Sequence, residues 1–399
     1  MLQPTPFDIA TGTVLGVGPP PRLWSVPPVA KNPLAALEQA VLPALRRPPC
    51  VVSFSGGLDS SLVLAVAVRV ARRHGLPEPV PVTWRFTGAP GADESSWQER
   101  IIAALDLSAT WQILRADDDL DLIGPIAGRL LHHYGLQHPV NLHLHLPVVE
   151  LATGGSVLTG LGGDQMLSGW RRPATRPTRA RLARIRALVR ELPRRHRPAQ
   201  LLFPWLHGDV ARQAHRALRA EQRAEPRRLG PRTAWHARRR DLVITQSAFA
   251  AVAGDHEVTP LHPLLDCGFL AALTAMAGRR RRCTRDDLLA EIVGIALPPD
   301  IIAPRPKARF RDVFLRQTTR EFVQSWDGTG VDPDLVDVPA LRDIWSRWPI
   351  PGGTAALVQQ IWMTTAPAPP PRYSPQATPA SPTPPIPPTR SGSDTEVTS

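Results

Sequence analysis

The sequence predicts an α/β fold, a doubly wound parallel sheet with helical insertions. From residue 34 onward, short apolar segments typical of buried strands alternate with longer segments of helical periodicity. Two glycine-rich segments, near residues 56 and 160, each follow one of those apolar strands directly. Alternating strands and helices form parallel sheets that bind ligands at the carboxyl ends of their strands. Both glycine segments are therefore expected at one edge of the sheet.

The individual elements follow in chain order. Segments with apolar residues at helical spacing predict helices over 34–45, 61–73, 94–105, 120–133 and 142–151. Short apolar or alternating segments predict strands over 50–54, 80–86, 110–114 and 156–159. Before them, residues 6–16 show strand-like pieces divided by turn residues, and residues 1–30 are interpreted as the remnant of a lost domain.

The first glycine segment, residues 55–61, reads Ser-Gly-Gly-Leu-Asp-Ser-Ser between a strand and a helix. The two glycines let the backbone turn sharply and approach a ligand closely, and the start of the helix offers N–H groups to an anion. Asp59 places a carboxylate where a magnesium ion on a polyphosphate can sit. The segment lacks the lysine of the common phosphate loop. It predicts a pyrophosphate site formed by Ser55, Gly56, Gly57, Asp59, Ser60 and Ser61.

This segment resembles the motif of the N-type ATP pyrophosphatases, which split ATP between its α and β phosphates. Residues 156–170, Ser-Val-Leu-Thr-Gly-Leu-Gly-Gly-Asp-Gln-Met-Leu-Ser-Gly-Trp, resemble a strand, turn and helix of the asparagine synthetase C-terminal domain. Residues 262–266, His-Pro-Leu-Leu-Asp, resemble the family's P-F-L-D sequence, and residues 297–310 are similar to its segment in which a lysine reaches the ATP phosphates. The resemblance spans about residues 35–325, and the order of the motifs makes it specific.

The resemblance implies an adenine nucleotide alpha hydrolase-like fold and a reaction that needs ATP and Mg²⁺. The family comprises asparagine synthetases, β-lactam synthetases and the macrolactam synthetases that close lasso peptides; all adenylate a carboxylate and then let an amine displace AMP. Beyond the first glycine segment, the implied ATP contacts are Phe54, Phe86, Thr159, Gly160 and Lys307. Asp59 and Asp164 are the implied magnesium ligands, and with Lys307 they are candidate catalytic residues.

Lys307 is one of only two lysines in the chain, the other being Lys31, although Lys and Arg together number 47. A compact ammonium can follow a moving phosphate better than a planar guanidinium can. The resemblance therefore gives Lys307 two roles: it offsets the charge of the leaving pyrophosphate and stabilises the tetrahedral intermediate. A solvated surface lysine is the alternative interpretation.

The chain departs from the family at positions that concern the amine. Leu161 stands where many asparagine synthetases carry a glutamate and β-lactam synthetases a catalytic tyrosine, and a leucine can do no proton chemistry. Gln165 replaces the acidic residue that follows Asp164 in the family. Thr259 and Leu261 replace a glutamate and an arginine upstream of the P-F-L-D sequence. These departures leave the base that activates the amine unassigned.

Two residues are candidates for that base. Glu257 is the carboxylate nearest to the P-F-L-D sequence, and His262 begins the matching segment itself. Histidines also occur in groups, at 132 and 133, at 143 and 145, and at 256 and 262. Because no spacing among them repeats a familiar ligand set, a structural role is favoured over a metal site.

Composition limits the class of protein and its surroundings. The chain has 399 residues, 43% of them hydrophobic, which is enough for one large core. No signal-peptide pattern and no apolar stretch long enough to span a bilayer is present, so a cytoplasmic protein with no membrane partner is expected. Cys50, Cys267 and Cys283 form no C-x-x-C pair, which disfavours a disulfide framework, a zinc site and a sulfur relay. Leu2 stands where glutamine-dependent relatives have a nucleophilic cysteine, so no glutaminase is expected.

Basic charge is concentrated in one segment. Residues 171–240 contain 21 arginines, with apolar residues at helical spacing, and are interpreted as a helical insertion that covers the site. In one interpretation the insertion binds an acidic leader peptide, a carrier protein or RNA. In the other it is a solvent-exposed helical face, and its arginines reflect the chain's general preference for arginine. The net charge of +12 does not by itself predict a nucleic-acid partner, because such use of arginine is typical of GC-rich genomes.

The sequence thus divides into four parts. After the remnant at 1–30, an ATP pyrophosphatase domain is placed at 31–330 and a helical part at 331–363. Residues 364–399 are rich in proline, serine and threonine and are expected to be disordered and dispensable for catalysis.

Three functions remain open from the sequence alone. The first is an ATP-dependent ligase that joins a small-molecule or peptide carboxylate to an amine other than glutamine-derived ammonia, as in the synthesis of a lasso peptide or another natural product. The second is an asparagine synthetase that takes free ammonia or borrows a separate glutaminase. The third is a binding protein that keeps the ATP site without turnover. A neighbouring gene for a short precursor peptide would favour the first.

Overall fold

The computed structural model describes residues 2–18, 32–167, 202–226, 228–279, 292, 308–365 and 378–379. Residues 171–201 of the predicted arginine-rich insertion, the segment that contains Lys307 and most of the predicted tail lie outside these ranges.

In this part of the chain, six strands form one sheet. They are β1 Cys50–Ser53, β2 Val80–Phe86, β3 Gln112–Ala116, β4 Ser156–Leu158, β5 Thr259–Leu261 and β6 Thr378–Pro379. The order across the sheet is β5-β4-β1-β2-β3-β6, with the first five strands parallel and β6 antiparallel to β3. From β1 the chain builds outward through β2 and β3, and then in the other direction through β4 and β5. This order confirms the predicted doubly wound sheet and places its switch point between β1 and β4.

Helices connect these strands and continue beyond them. They are α1 Pro6–Thr11, α2 Pro33–Leu45, α3 Leu58–His74, α4 Ser95–Ala104, α5 Pro125–Tyr134, α6 Leu146–Leu151, α7 Gly163–Met166, α8 Gly208–Ala224, α9 Leu229–His236, α10 Arg240–Gly254, α11 Cys267–Arg279, α12 Arg311–Phe314, α13 Gln317–Ser325, α14 Val338–Trp345 and α15 Ala355–Thr365. No helix in the described ranges combines the length and the apolarity that a membrane span requires.

The predicted elements agree with the observed ones to within a few residues. β2 has the predicted bounds, α2 begins one residue early, and β3 lies two residues later than predicted. The predicted helix over 142–151 divides into a 3-10 turn, Leu142–His145, followed by α6. β5 was not predicted, because a three-residue strand with Pro260 at its centre shows no alternation of apolar and polar residues.

The chain start differs from its prediction. Residues 6–16 were expected to contain strand-like pieces, but residues 6–11 form α1. Thr5 and Asp8 make a capping box, in which the Thr5 hydroxyl accepts from the Asp8 N–H and the Asp8 carboxylate accepts from the Thr5 N–H. Pro6 occupies the first helical turn, and Gly12, with a φ of 62°, ends the helix. Local capping therefore overrides the weak strand pattern.

The sheet separates two apolar clusters. The first cluster lies on the face covered by α2, α3 and α11 and includes Val52, Phe54 and Leu62. The second lies on the opposite face, against α5, α6 and α10, and includes Val51, Trp84 and Val157. Because successive strand residues point to opposite faces, the neighbours Val51 and Val52 enter different clusters. Helices therefore cover both faces, as the doubly wound fold requires.

Residues near both ends of the described chain share the second cluster with the sheet. Ala10 of α1 and Val358 of α15 both belong to it. The Trp205 indole N–H donates to the Ala10 carbonyl at 2.7 Å. A Cβ on Gly12 would lie 2.0 Å from the Gly353 carbonyl oxygen, so these two segments pack directly together. Residues on both sides of the predicted boundaries at 30 and 330 thus contribute to the second cluster.

Part of the arginine excess stabilises the fold. Arg232 pairs with Glu225 at 2.6 Å, and Arg240 pairs with the buried Asp8 at 2.9 Å. These contacts join α9 and α10 to neighbouring segments. In contrast, Arg212, Arg216 and Arg223 of α8 are exposed.

Candidate active site

The first glycine loop, residues 54–57, joins β1 to α3 at the switch point. Gly56 has a φ of 86°, a conformation that favours glycine. The Ser60 hydroxyl donates to the Gly57 carbonyl at 3.0 Å, and the Ser61 hydroxyl donates to the same carbonyl at 2.7 Å. Ser61 is fully buried, whereas Ser55 is exposed. Of the three predicted serine contacts, Ser61 therefore supports the loop from behind, and Ser55 lies at its surface.

The start of α3 suits an anion. The helix has 17 residues, and Gly57, which precedes it, provides no side-chain cap for its first N–H groups. The amino end of a helix carries a partial positive charge and N–H groups without intrahelical partners. Phosphate oxygens bind at such helix starts. The geometry therefore fits the predicted pyrophosphate site.

The second glycine loop, residues 159–162, joins β4 to α7 and lies against the first turn of α3, which follows the first loop. A Cβ on Gly160 would lie 2.8 Å from the backbone nitrogen of Ser60. A Cβ on Gly163, the first residue of α7, would lie 2.0 Å from Cγ of Asp59. Real Cβ contacts are not this short, so glycine at both positions allows the two motifs to approach each other. The two motifs, about a hundred residues apart in the chain, form one site.

Asp59 and Asp164, the predicted magnesium ligands, belong to these adjoining segments. The Asp59 Oδ1 atom has almost no exposed area, whereas Asp164 is exposed on α7. No group of three or more His, Cys, Asp or Glu residues in the described ranges could hold a metal ion by itself. Mg²⁺ is commonly held by one or two carboxylates together with substrate phosphates and waters. The two carboxylates fit that mode of binding.

The two predicted adenine contacts, Phe54 and Phe86, lie on opposite faces of the sheet. The Phe54 ring is 1% exposed and belongs to the first cluster, while Phe86 packs against the second. The two rings therefore do not form one adenine pocket, and Phe54 can line the site only with its backbone. Phe86 lies edge-on to Phe310, with ring centroids 5.8 Å apart.

Lys307 lies outside the described residues, and its predicted role stays a prediction. The described chain resumes at residue 308, and the Arg309 N–H donates to the Gly91 carbonyl at 2.8 Å. Phe310 packs against Phe86, the last residue of β2, and Gly91 follows that strand. Residues 309 and 310 therefore lie at the carboxyl end of β2.

Glu257 lies at the wrong edge of the sheet for a base in this site. It precedes β5, is exposed, and has a φ of 56° in the turn after α10. Its carbonyl accepts from Arg47, which precedes β1. Both residues thus mark the amino ends of the parallel strands. Five residues of extended chain put Glu257 roughly 15 Å from the carboxyl edge, so its prediction as a catalytic residue is corrected.

His262 follows β5 and lies at the carboxyl edge. Its Nδ1 is 2.7 Å from the Thr159 hydroxyl, which also accepts from the Leu161 N–H at 3.2 Å. Burial lowers the pKa of His262 to about 4, so its ring is neutral near pH 7. Of the two predicted candidates for the amine-activating base, only His262 is placed next to the glycine loops.

A second histidine lies beside this group and was not predicted to belong to the site. His145 has its Nδ1 3.3 Å from the hydroxyl of Ser53, the last residue of β1. The Phe249 ring contacts both histidine rings, at centroid distances of 5.2 Å to His145 and 5.3 Å to His262. Burial also lowers the pKa of His145 to about 4. Two neutral imidazoles therefore lie under the ends of β1, β4 and β5.

The parallel sheet is wound in both directions, and its switch point carries two adjoining glycine motifs and a helix start without a side-chain cap. These features define the class of nucleotide-binding α/β proteins. The family model described as asparagine synthase matches residues 34–365. Since this match covers most of the chain, the protein belongs to the asparagine synthase family, a family of ATP-dependent ligases that form amide bonds. The match extends beyond the motifs as far as the end of α15. Among curated proteins, none matches the chain significantly.

Proposed function

We propose that the protein joins a carboxylate to an amine in two steps, with AMP and pyrophosphate as products. The observation that carries this proposal is the contact between the two glycine motifs, which brings Gly160 and Gly163 of the second against the first turn of α3, at Ser60 and Asp59. Bound ATP supplies the chemistry, since a carboxylate oxygen that displaces pyrophosphate from the α phosphorus becomes part of an acyl adenylate with a good leaving group.

The chain's own residues supply binding and charge. The first glycine loop and the start of α3 bind the phosphates through N–H groups. Asp59 and Asp164 would hold Mg²⁺, whose charge would offset that of the departing pyrophosphate. Lys307 adds a second positive charge in this proposal. In the second step the amine nitrogen bonds to the acyl carbon, the bond to AMP breaks, and the amine gives up a proton.

We propose further that the amine is not ammonia but belongs to a larger molecule, such as a peptide. Leu161 supports this, because it puts an apolar side chain, packed against the first cluster, where many asparagine synthetases carry a glutamate. A peptide natural product, including a lasso macrolactam, is the product class that fits this proposal. The exposed arginines of α8 are a proposed contact for an acidic leader peptide or a separate partner protein.

The experiment is pyrophosphate release by the purified protein with ATP and Mg²⁺, using a panel of carboxylates and either ammonium, glutamine or hydroxylamine as the amine. Hydroxylamine reacts with any acyl adenylate and so detects the first step without the natural amine. Asp59→Ala is expected to lower the rate of release about 1,000-fold, as the loss of several kcal/mol of charge stabilisation by a metal would. Asp209→Ala, which changes an exposed aspartate in the first turn of α8, is the matched control and should leave release unchanged.

Each outcome decides between functions. Release with aspartate and ammonium would establish an asparagine synthetase and overturn the proposal of a larger amine. Release with hydroxylamine but not with ammonium or glutamine supports the proposal. ATP binding without release for any carboxylate would favour a binding protein without turnover.

A further inference from the structure

Gln98 of α4 contacts the first glycine loop from behind. It is 3% exposed, and its side-chain N–H donates to the Ser55 carbonyl at 2.8 Å. A Cβ on Gly56 would lie 2.7 Å from Cγ of Gln98, so the loop also rests on the stem of this side chain. The residue comes from a helix that carries none of the predicted site residues.

The chemistry of its neighbours explains why this residue is a glutamine. The other end of the Gln98 amide accepts a hydrogen bond from the Arg85 guanidinium. An arginine can only donate and a carbonyl oxygen can only accept, so the group between them must do both. A glutamate could accept from Arg85 but would turn an oxygen towards the Ser55 carbonyl. A methionine of similar size could make neither bond.

Arg85 is itself held in place. It is 3.2 Å from the Glu99 carboxylate, and its guanidinium lies over the Trp111 ring, 5.5 Å from the centroid. The Trp111 indole N–H donates to the Thr83 hydroxyl at 3.1 Å, and this hydroxyl donates to the Phe54 carbonyl at 2.8 Å. Two successive carbonyls of the loop are therefore held by one network of side chains from β2, from α4 and from Trp111, which precedes β3.

Holding a carbonyl orients the N–H that follows it. The peptide unit is planar, with C=O and N–H pointing in opposite directions. A Ser55 carbonyl held by Gln98 therefore sets the direction of the Gly56 N–H, within the loop that leads into α3. We propose that Gln98 is a positioning residue for the phosphates of ATP and acts through the Ser55 carbonyl. The inference rests on the proposed function, because it presumes that the first glycine loop binds ATP.

The test compares the affinities for ATP and for adenosine, which has no phosphates, in the wild type, Gln98→Met and Gln98→Glu. Each variant removes the bond to Ser55, which should weaken ATP binding at least about tenfold, as expected for a lost hydrogen bond next to a charged ligand. Adenosine affinity should change less than about twofold. Gln213→Met, at an exposed position of α8, is the control for the substitution itself.

The Gln98→Glu variant keeps the test decisive if Gln98→Met does not fold. Gln98→Glu keeps the contact with Arg85, so it should fold even if Gln98→Met does not. Equal losses of ATP and adenosine affinity would show a merely structural role and overturn the inference. Unchanged ATP affinity in either folded variant would overturn it as well, while the proposed function stood. A wild-type protein that fails to bind ATP would instead overturn the proposed function itself.

Discussion

The two glycine loops lie side by side at the switch point but are held in different ways. Side chains support the first loop by hydrogen bonds, from Gln98 and Thr83 to its carbonyls and from Ser60 and Ser61 within the motif. The second loop is held by close approach at its glycines, and its Thr159 hydroxyl bonds to His262 and accepts from the Leu161 N–H. The shape of a loop can thus depend either on polar partners elsewhere in the fold or on the absence of side chains.

The largest effect on stability and on ATP affinity is expected at Gly160, where the second loop approaches the backbone of α3. The Cβ of Gly160→Ala would lie 2.8 Å from the Ser60 nitrogen, and no flexible side chain can move to make room. The loops must separate, which should cost about 2 kcal/mol of unfolding free energy, as overpacking does. ATP affinity should fall at least about 100-fold, because small displacements of binding groups are costly. Chemical denaturation and ATP titration measure the two quantities.

Gly254→Ala is the matched control for this substitution. Gly254 ends α10, and a Cβ there would have nothing within 4 Å. Alanine at this site should leave ATP affinity unchanged and change stability by less than about 1 kcal/mol. Wild-type ATP affinity in Gly160→Ala would contradict the contact between the loops.

A smaller effect on stability, with a large effect on turnover, is expected at Gly163. The Cβ of Gly163→Ala would lie 2.0 Å from Cγ and 2.5 Å from Cβ of Asp59. Rotation of the Asp59 side chain moves Cγ but not Cβ, so the two segments must also separate slightly. Stability should fall by about 1.5 kcal/mol, within the range for overpacking. In the proposed mechanism turnover should fall about 100-fold, because the displaced carboxylate would no longer hold Mg²⁺ on the phosphates.

A double-mutant cycle sharpens this prediction. If Gly163→Ala acts only by displacing Asp59, the double variant with Asp59→Ala should be no slower than Asp59→Ala alone. Pyrophosphate release by the four proteins provides the measurement. Additive losses would mean that Gly163 has a role that does not involve Asp59.

At neutral pH the smallest effect on stability concerns the side-chain bond of the second loop, and this effect grows as the pH falls. Burial lowers the pKa values of His143, His145 and His262 to about 4, from about 6.5 in an unfolded chain. Between these values the unfolded state binds more protons, so stability is full above pH 6.5 and falls as the pH drops towards 4. The loss is at most roughly 3 kcal/mol for each histidine.

Urea unfolding at several pH values between 7.5 and 4.5 measures this loss. In His262→Gln the side-chain amide can still bond to Thr159. The slope of the unfolding free energy against pH should decrease by up to about 1.4 kcal/mol per pH unit, which is the value for one bound proton. Gln213→Met, which changes no titratable group at an exposed position of α8, should keep the wild-type slope. A wild-type slope in His262→Gln would mean that His262 is not buried in a neutral form.

Much of the fold and part of the site could be predicted from the sequence. Strand and helix positions were close to the observed ones because apolar periodicity is a local property, and β5 was missed where that periodicity is absent. The two glycine motifs were recognised because close approach and sharp turns demand glycine itself. The capping box of Thr5 and Asp8 could also be recognised from the sequence, although the segment was interpreted as strand-like.

The sequence by itself determined the order of the elements, the family to which the motifs belong and the glycines that shape the site. Only the tertiary structure decided that Glu257 lies at the amino edge and His262 at the carboxyl edge, that Phe54 and Phe86 face opposite clusters, and that Gln98 supports the loop. The physical reason is that motifs record local demands on the backbone. Pairing between segments far apart in the chain decides which strand ends and which faces lie next to each other. That pairing cannot be inferred from any single residue.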